Sequence, residues 1–238
     1  MERLDALRRR LRVRPGRRGR HLDRQAARPR PGGPGRPHEP EVRRAGPRRG
    51  PHLKVGILGG TFDPVHNAHL AMARAAMREL DLDKLLWMPT GAPRYRNAPV
   101  APGEDRVAML RLAIEGEPLY EIDARELALG ASGYTADTLR ELSAGLEPDT
   151  ALYLLLGADQ YAKLDTWHEP QEVARRARIV VFSRPGFKIE DQAARVIPFP
   201  AMPVSASDIR ARAARGEDLS GLVPPAVADY IARRRLYG

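Results

Sequence analysis

Val55-Gly56-Ile57-Leu58-Gly59-Gly60-Thr61-Phe62-Asp63-Pro64-Val65-His66-Asn67-Ala68-His69-Leu70 is the stretch that decides the fold. Val55–Leu58 is a short apolar run without polar alternation, the texture of a strand buried on both faces. Two glycines follow, and beyond them Leu70, Ala73, Met77 and Leu80 recur at helical spacing. A strand that passes through glycines into a helix makes an anion site. Ligands of open parallel sheets sit at the carboxyl ends of strands, and a helix N-terminus there favours negative charge. Gly59 and Gly60 let the backbone approach a phosphate closely, because no Cβ intervenes. The turn is neither a GxGxxG dinucleotide fingerprint nor a GxxxxGK[ST] phosphate loop, since the third glycine and the lysine are missing.

Two histidines give the turn its chemistry. With Asn67 as the expected helix cap, His69 falls in the first turn and His66 just before it. Three residues apart, both imidazoles face the same space, where they suit a phosphate that gains charge in a transition state. A paired metal site and two incidental surface histidines are the competing readings. Residues 53–238 hold three histidines, and two of them lie in this turn, which weighs against coincidence.

Outward from this segment, further apolar runs of strand length occur at Leu85–Met88, Ala151–Leu156 and Ile179–Phe182, with Leu119–Ile122 as another strand. Helical stripes lie between them, as at Val107, Leu110 and Ile114. Strands alternating with helices predict an α/β fold: an open, mostly parallel sheet with helices on both faces. The C-terminal part reads as helical, over Ile209–Ala214 and Ala226–Arg235, with Pro224-Pro225 opening the last helix.

The turn resembles the GTFDPxHxGH signature of the HxGH nucleotidyltransferase superfamily, with Ala68 where that signature has Gly. Three more segments resemble the bacterial nicotinate-nucleotide adenylyltransferases within it. These are Ser132-Gly133-Tyr134-Thr135-Ala136-Asp137-Thr138-Leu139, then Gly157-Ala158-Asp159 with Asp165-Thr166-Trp167-His168, and finally Val204-Ser205-Ala206-Ser207-Asp208-Ile209-Arg210. The resemblance spans nearly all of residues 54–238 and implies a Rossmann-like fold.

It also implies a site. His66, His69 and Arg210 become the catalytic residues. ATP falls to Gly59, Gly60, Phe62, Gly157, Asp159, Ser205, Ser207 and Ile209 together with those three. Thr61, Arg96, Thr135, Trp167 and His168 become contacts of the mononucleotide. Arg96 carries over from a loop in which Tyr95 replaces the usual His. The residues suit these parts. A helix beginning at Thr135 offers N–H groups to a carboxylate, Trp167 offers a flat face to a pyridine ring, and the planar fork of Arg210 matches outer phosphates. Core packing for Trp167, a helix cap for Asp159 and a surface position for Arg210 are the plainer alternatives.

The expected reaction is therefore transfer of the adenylyl group of ATP to nicotinate mononucleotide, giving nicotinate adenine dinucleotide and pyrophosphate. Mg²⁺ is expected to arrive on the ATP phosphates, since the sequence offers no dedicated carboxylate cluster as a metal site. A homodimer and a cytoplasmic location follow from the resemblance. The rivals are another acceptor, nicotinamide mononucleotide or pantetheine phosphate, and a non-catalytic nucleotide-binding protein.

Composition sets the outer bounds. The 238 residues contain no Cys, which excludes disulfides, thiolate metal sites and a cysteine nucleophile. No window approaches 18 consecutive apolar residues, so no membrane-spanning helix is expected. The net charge of +10 is unevenly placed: residues 1–52 hold 17 Arg against 5 acidic residues, a balance of +12, leaving −2 for residues 53–238. With 8 Pro, 7 Gly and no aromatic residue, residues 1–52 read as a disordered leader or a misassigned start ahead of one nucleotidyltransferase domain, 53–238. A secretory signal is not expected, because the leader has no apolar stretch. A basic arm for nucleic acid is the second reading of the leader, and the only route to such a partner. An organelle transit segment is the third, although the expected Ser and amphipathicity are lacking.

Overall fold

A computed structural model describes residues 53–91, 98–183 and 194–238. At its centre lies strand β1 (Leu53–Gly60), where Val55 to Leu58 are buried as their apolar run requires. β1 pairs in parallel with β2 (Lys84–Pro89) on one side and with β4 (Thr150–Gly157) on the other. β3 (Tyr120–Ile122) extends the sheet beyond β2, and β5 (Arg178–Ser183) and β6 (Arg195–Pro198) extend it beyond β4. The order is β3-β2-β1-β4-β5-β6, and every pairing is parallel. The sheet is thus wholly parallel, where the sequence predicts a mostly parallel one.

The sixth strand is an addition to the sequence reading. Arg195-Val196-Ile197-Pro198 buries only Ile197 and ends in a proline, a residue that sheets tolerate at edges. A strand with one buried residue leaves no apolar run to find.

The crossovers are helical: α1 (Asn67–Leu80), α2 (Gly103–Ala113), α3 (Thr135–Gly145), the short α4 (Ala158–Tyr161) and α5 (Pro170–Arg176). The C-terminal part folds as α6 (Ala206–Ala214) and α7 (Pro225–Arg234), with Pro225 at the start of the latter as expected. Because strand order reverses between β1 and β4, right-handed crossovers leave them in opposite directions and place helices on both faces. Each crossover helix runs back against the strands, so the N-termini of α1, α3 and α4 gather at the carboxyl edge of the sheet. Such a reversal is the topological switch point at which open α/β sheets form their ligand crevice, here between the turn after β1 and the turn after β4.

The core beneath this crevice is closely packed. Trp87, Leu85, Leu86, Met109, Leu110 and Leu139 are fully buried, and the Phe62 ring lies 5.5 Å from the Trp87 ring. Burying one such side chain contributes roughly 1.5–3 kcal/mol. Trp87 is the core residue its strand position predicts. Among the described residues, no helix is long and apolar enough to cross a membrane.

Candidate active site

The turn after β1 places its two imidazoles face to face. The rings of His66 and His69 stand 3.7 Å apart, with planes 20° from parallel. His66 is the N-cap of α1, a role expected for Asn67. Asn67 is drawn elsewhere: its backbone N–H donates to the Leu222 carbonyl (2.9 Å) and its side-chain amide to the Gly221 carbonyl (2.8 Å). The start of α1 is thereby tied to the loop before α7. Ala68 occupies the second position of α1, where regular helical backbone suits alanine, so the departure from Gly falls outside the tight turn.

Protonation follows from burial. Desolvation pushes His66 down from 6.5 to about 4. His69 is also held well below its usual value, first by burial and then by the neighbouring His66. Both rings are therefore neutral at pH 7. The backbone N–H of His66 donates to His69 Nδ1 (3.3 Å), which puts the His69 proton on Nε2. His66 Nδ1 is buried without a partner among the described residues.

Packing fixes these rings. Phe62 is 1% exposed and meets the His69 ring edge-on at 5.0 Å, on a backbone with φ of +49°. Its side chain is core, so any contact of Phe62 with ATP falls to the backbone. Open space faces the position a Cβ would take on Gly59, whereas a Cβ on Gly60 would press the Phe62 ring at 3.0 Å.

A polar network that the sequence reading missed lies under the turn. The buried Asp63 carboxylate accepts hydrogen bonds from Val100 N–H (2.7 Å), Ala101 N–H (3.1 Å) and the Tyr237 hydroxyl (2.9 Å). Arg210 donates to the Asp63 carbonyl (2.8 Å) and stands 3.9 Å from its carboxylate. The buried Arg106 donates to the carbonyls of Thr61 (2.6 Å) and Thr90 (2.9 Å), joining the ends of β1 and β2. An aspartate inside a phosphate-type turn is a signal for Asp63. Arg106 and Tyr237 sit in segments that carry none.

Arg210 is the fifth residue of α6. Ser205 caps this helix by accepting from Asp208 N–H (3.2 Å), and its hydroxyl lies 3.1 Å from that of Ser207. Ile209 is fully buried and anchors α6 to the core. Gly157 ends β4 and caps α4, which leaves Asp159 exposed in the first turn at the carboxyl edge.

A second cluster forms at the start of α3. Thr135 is the first helical residue, after Gly133 with φ of +72°. The His168 ring stacks on Tyr134 at 4.2 Å, which sets the linker Trp167–Glu169 beside that helix. Arg140 of α3 completes the clasp by pairing with Glu169. Trp167 is half-buried, so part of its face stays open, while His168 is exposed. Arg96 and Tyr95 lie outside the described residues. A cavity of about 280 Å³ lined by Thr150 and Ala174–Arg178 opens at the amino ends of β4 and β5, the opposite edge of the sheet. Among the described residues, no three His, Asp or Glu side chains converge as a metal site.

Residues 57–212 match the family described as cytidylyltransferase-like. The probable nicotinate-nucleotide adenylyltransferase of Laribacter hongkongensis is 41% identical over 210 residues, covering 79% of this chain and 96% of its own length. That of Bordetella petrii is 42% identical over 196 residues, covering 77% and 98%. Among solved structures, Plasmodium falciparum nicotinic acid mononucleotide adenylyltransferase complexed with NaAD superposes with a TM-score of 0.65. It is 21% identical over 78% of this chain and 98% of its own, a likeness that bears on the fold. The matched family, the curated relatives and the crevice geometry agree, and the chain belongs to the cytidylyltransferase-like nucleotidyltransferases, in the nicotinate-nucleotide adenylyltransferase family.

Proposed function

We propose that the chain joins ATP and nicotinate mononucleotide into nicotinate adenine dinucleotide and pyrophosphate through the crevice above β1 and β4. The observation that carries this reading is the stacked His66–His69 pair at the N-terminus of α1. In the reaction, a phosphate oxygen of the mononucleotide bonds to the α-phosphorus of ATP. The bond from that phosphorus to the bridging oxygen breaks, and pyrophosphate leaves with the electron pair. A phosphate monoester is already anionic at neutral pH, so no general base is required. Catalysis then consists of positioning and of donors aimed at developing charge.

The residues divide this work. His69, with its proton on Nε2, and His66 donate to oxygens around the α-phosphorus. They act as neutral donors until the phosphates bring charge that favours their protonation. The Gly59 and Gly60 backbone and Thr61 receive the reacting phosphates. Ser205, Ser207 and Arg210 hold the departing pyrophosphate, and Gly157 and Asp159 face the ribose. Phe62 and Ile209 support them from the core.

The first-turn N–H groups at Thr135 favour the anionic nicotinate over the amide, and Trp167 with His168 borders the pyridine ring. Mg²⁺ enters as part of the MgATP substrate, held by phosphate oxygens and water, which suits a site that has no carboxylate cluster among the described residues. Arg96 remains a candidate phosphate contact by resemblance alone, as do the homodimer and the cytoplasmic location. The test is pyrophosphate release with ATP and nicotinate mononucleotide, nicotinamide mononucleotide or pantetheine phosphate in parallel. The acid mononucleotide is expected to turn over fastest, and faster turnover of either rival would overturn the acceptor assignment.

A further inference from the structure

The Tyr237 hydroxyl reaches back to the first turn of the fold and donates to Asp63 Oδ1 across 174 positions of sequence. Its backbone is strained: Tyr237 has φ of +74° and Arg235 φ of +51°, left-handed values that non-glycine residues adopt only when surrounding contacts hold them there. The contacts that hold this tail are Leu236 N–H to the Ile231 carbonyl (3.0 Å) and packing of Leu236 and Tyr237 on the core.

Asp63 is also the residue on which Arg210 leans. Its Oδ1 takes Tyr237 and Ala101 N–H, and its Oδ2 takes Val100 N–H. Arg210 is left to donate to the carbonyl at 2.8 Å, with 3.9 Å to the carboxylate. Arg210 lies nearest Oδ2, and a guanidinium–carboxylate hydrogen bond is of the stronger, charge-assisted kind, so freeing Oδ1 of Tyr237 lets the carboxylate turn toward the guanidinium. We propose that Tyr237 is a positioning residue for adenylyl transfer: by occupying Asp63, it keeps the Arg210 fork turned outward for the ATP phosphates. Without the hydroxyl, Asp63 rotates toward Arg210 and withdraws it from the triphosphate. This inference rests on the reading of Arg210 as an ATP contact and adds the element that sets its direction.

A built-in control exists. Tyr230 of α7 makes a hydrogen bond of the same kind to another buried aspartate, Asp105 (2.7 Å), which Arg234 also approaches. That pair joins α7 to α2, and among the described residues no hydrogen bond or ion pair connects it to Arg210.

The experiment compares Tyr237→Phe, Tyr230→Phe, Arg210→Ala and the Tyr237→Phe/Arg210→Ala double variant in the full chain. KM for ATP, KM for nicotinate mononucleotide and Tm are measured for each. Tyr237→Phe is expected to raise KM for ATP about fivefold to tenfold, the scale of one hydrogen bond, with KM for the mononucleotide unchanged. Tyr230→Phe is expected to lower Tm with neither KM altered. In the Arg210→Ala background, loss of the Tyr237 hydroxyl is expected to add nothing further. An unchanged ATP KM in Tyr237→Phe, or an equal rise in both KM values, would overturn the proposal if Arg210→Ala alone weakens ATP. If Arg210→Ala leaves the ATP KM at the wild-type value, the reading of Arg210 fails first, and the role of Tyr237 falls with it.

Discussion

His69 Nδ1 accepts the backbone N–H of His66, three residues before it, and the same two residues stack their rings 3.7 Å apart. The contact leaves His69 one tautomer while burial leaves it one charge state. A neutral ring with its proton on Nε2 is a directed donor, ready for an oxygen that becomes more negative as a bond breaks. His69→Ala is therefore expected to lower kcat by about 10²- to 10³-fold, the range found for loss of a single transition-state donor, with Tm little changed. Stopped-flow or steady-state pyrophosphate release measures it, and turnover near the wild-type rate would remove His69 from the chemistry.

Burial of the same rings makes stability depend on pH in a defined direction. The folded-state value of His66 lies near 4, below the 6.5 of the unfolded chain, so the unfolded state binds more protons between them. The stabilisation is present in full above pH 6.5 and is lost as pH falls toward 4, by about 3 kcal/mol at 1.36 kcal/mol per pH unit. His69 shifts in the same direction. Urea denaturation between pH 7.5 and 4.5 should show the wild type losing stability relative to His66→Asn/His69→Asn. Parallel curves for the two proteins would contradict the burial account.

Arg106 joins two strand ends by donating to the Thr61 and Thr90 carbonyls while 3% exposed. Arg106→Met leaves both carbonyls without that donor, and Asp63 loses a nearby cation. A loss of about 3 kcal/mol in unfolding free energy is expected, together with a drop in kcat. Chemical denaturation tests the first, and an intact kcat in a folded Arg106→Met protein would show that the turn keeps its shape without the bridge.

The acceptor end is separable from the ATP end. Trp167→Ala is expected to raise KM for nicotinate mononucleotide about tenfold, as removal of a stacking face of roughly 1–2 kcal/mol should, and to leave the ATP KM unchanged. His168→Ala removes the stack on Tyr134 and should act in the same direction with a smaller effect. A change confined to the ATP KM would reassign this linker.

A chain beginning at Leu53 is expected to retain full activity, because β1 starts there and the residues proposed for ATP and for the pyridine ring all follow it. Turnover and Tm are compared with the full-length protein. Loss of either gives residues 1–52 a part in the catalytic unit.

The legible parts of the fold were those where local pattern and tertiary environment agree. Val55–Leu58 and Leu152–Leu156 are buried on both faces and so read as unbroken apolar runs. The helix after the first turn was equally plain, yet its cap was not. Asn67 has the better capping side chain, but the carbonyls of Gly221 and Leu222, distant in sequence, claim it and leave the role to His66. The stacked histidine pair, Arg210 and the Trp167-His168 linker are candidates because they sit in motif segments. Arg106 and Tyr237 could not, since each acts through partners more than ten residues away, and a lone arginine or tyrosine carries no periodicity. Phe62 and Ile209 show the converse: motif position suggests ligand contact, whereas their side chains are core.

The tail contact also bears on biosynthesis. Residue 63 emerges early and waits for residue 237, so in a nascent polypeptide the contact beneath the first turn stays open until that tyrosine has been added. A product cut short before Tyr237 would keep its sheet and histidines while lacking this clasp.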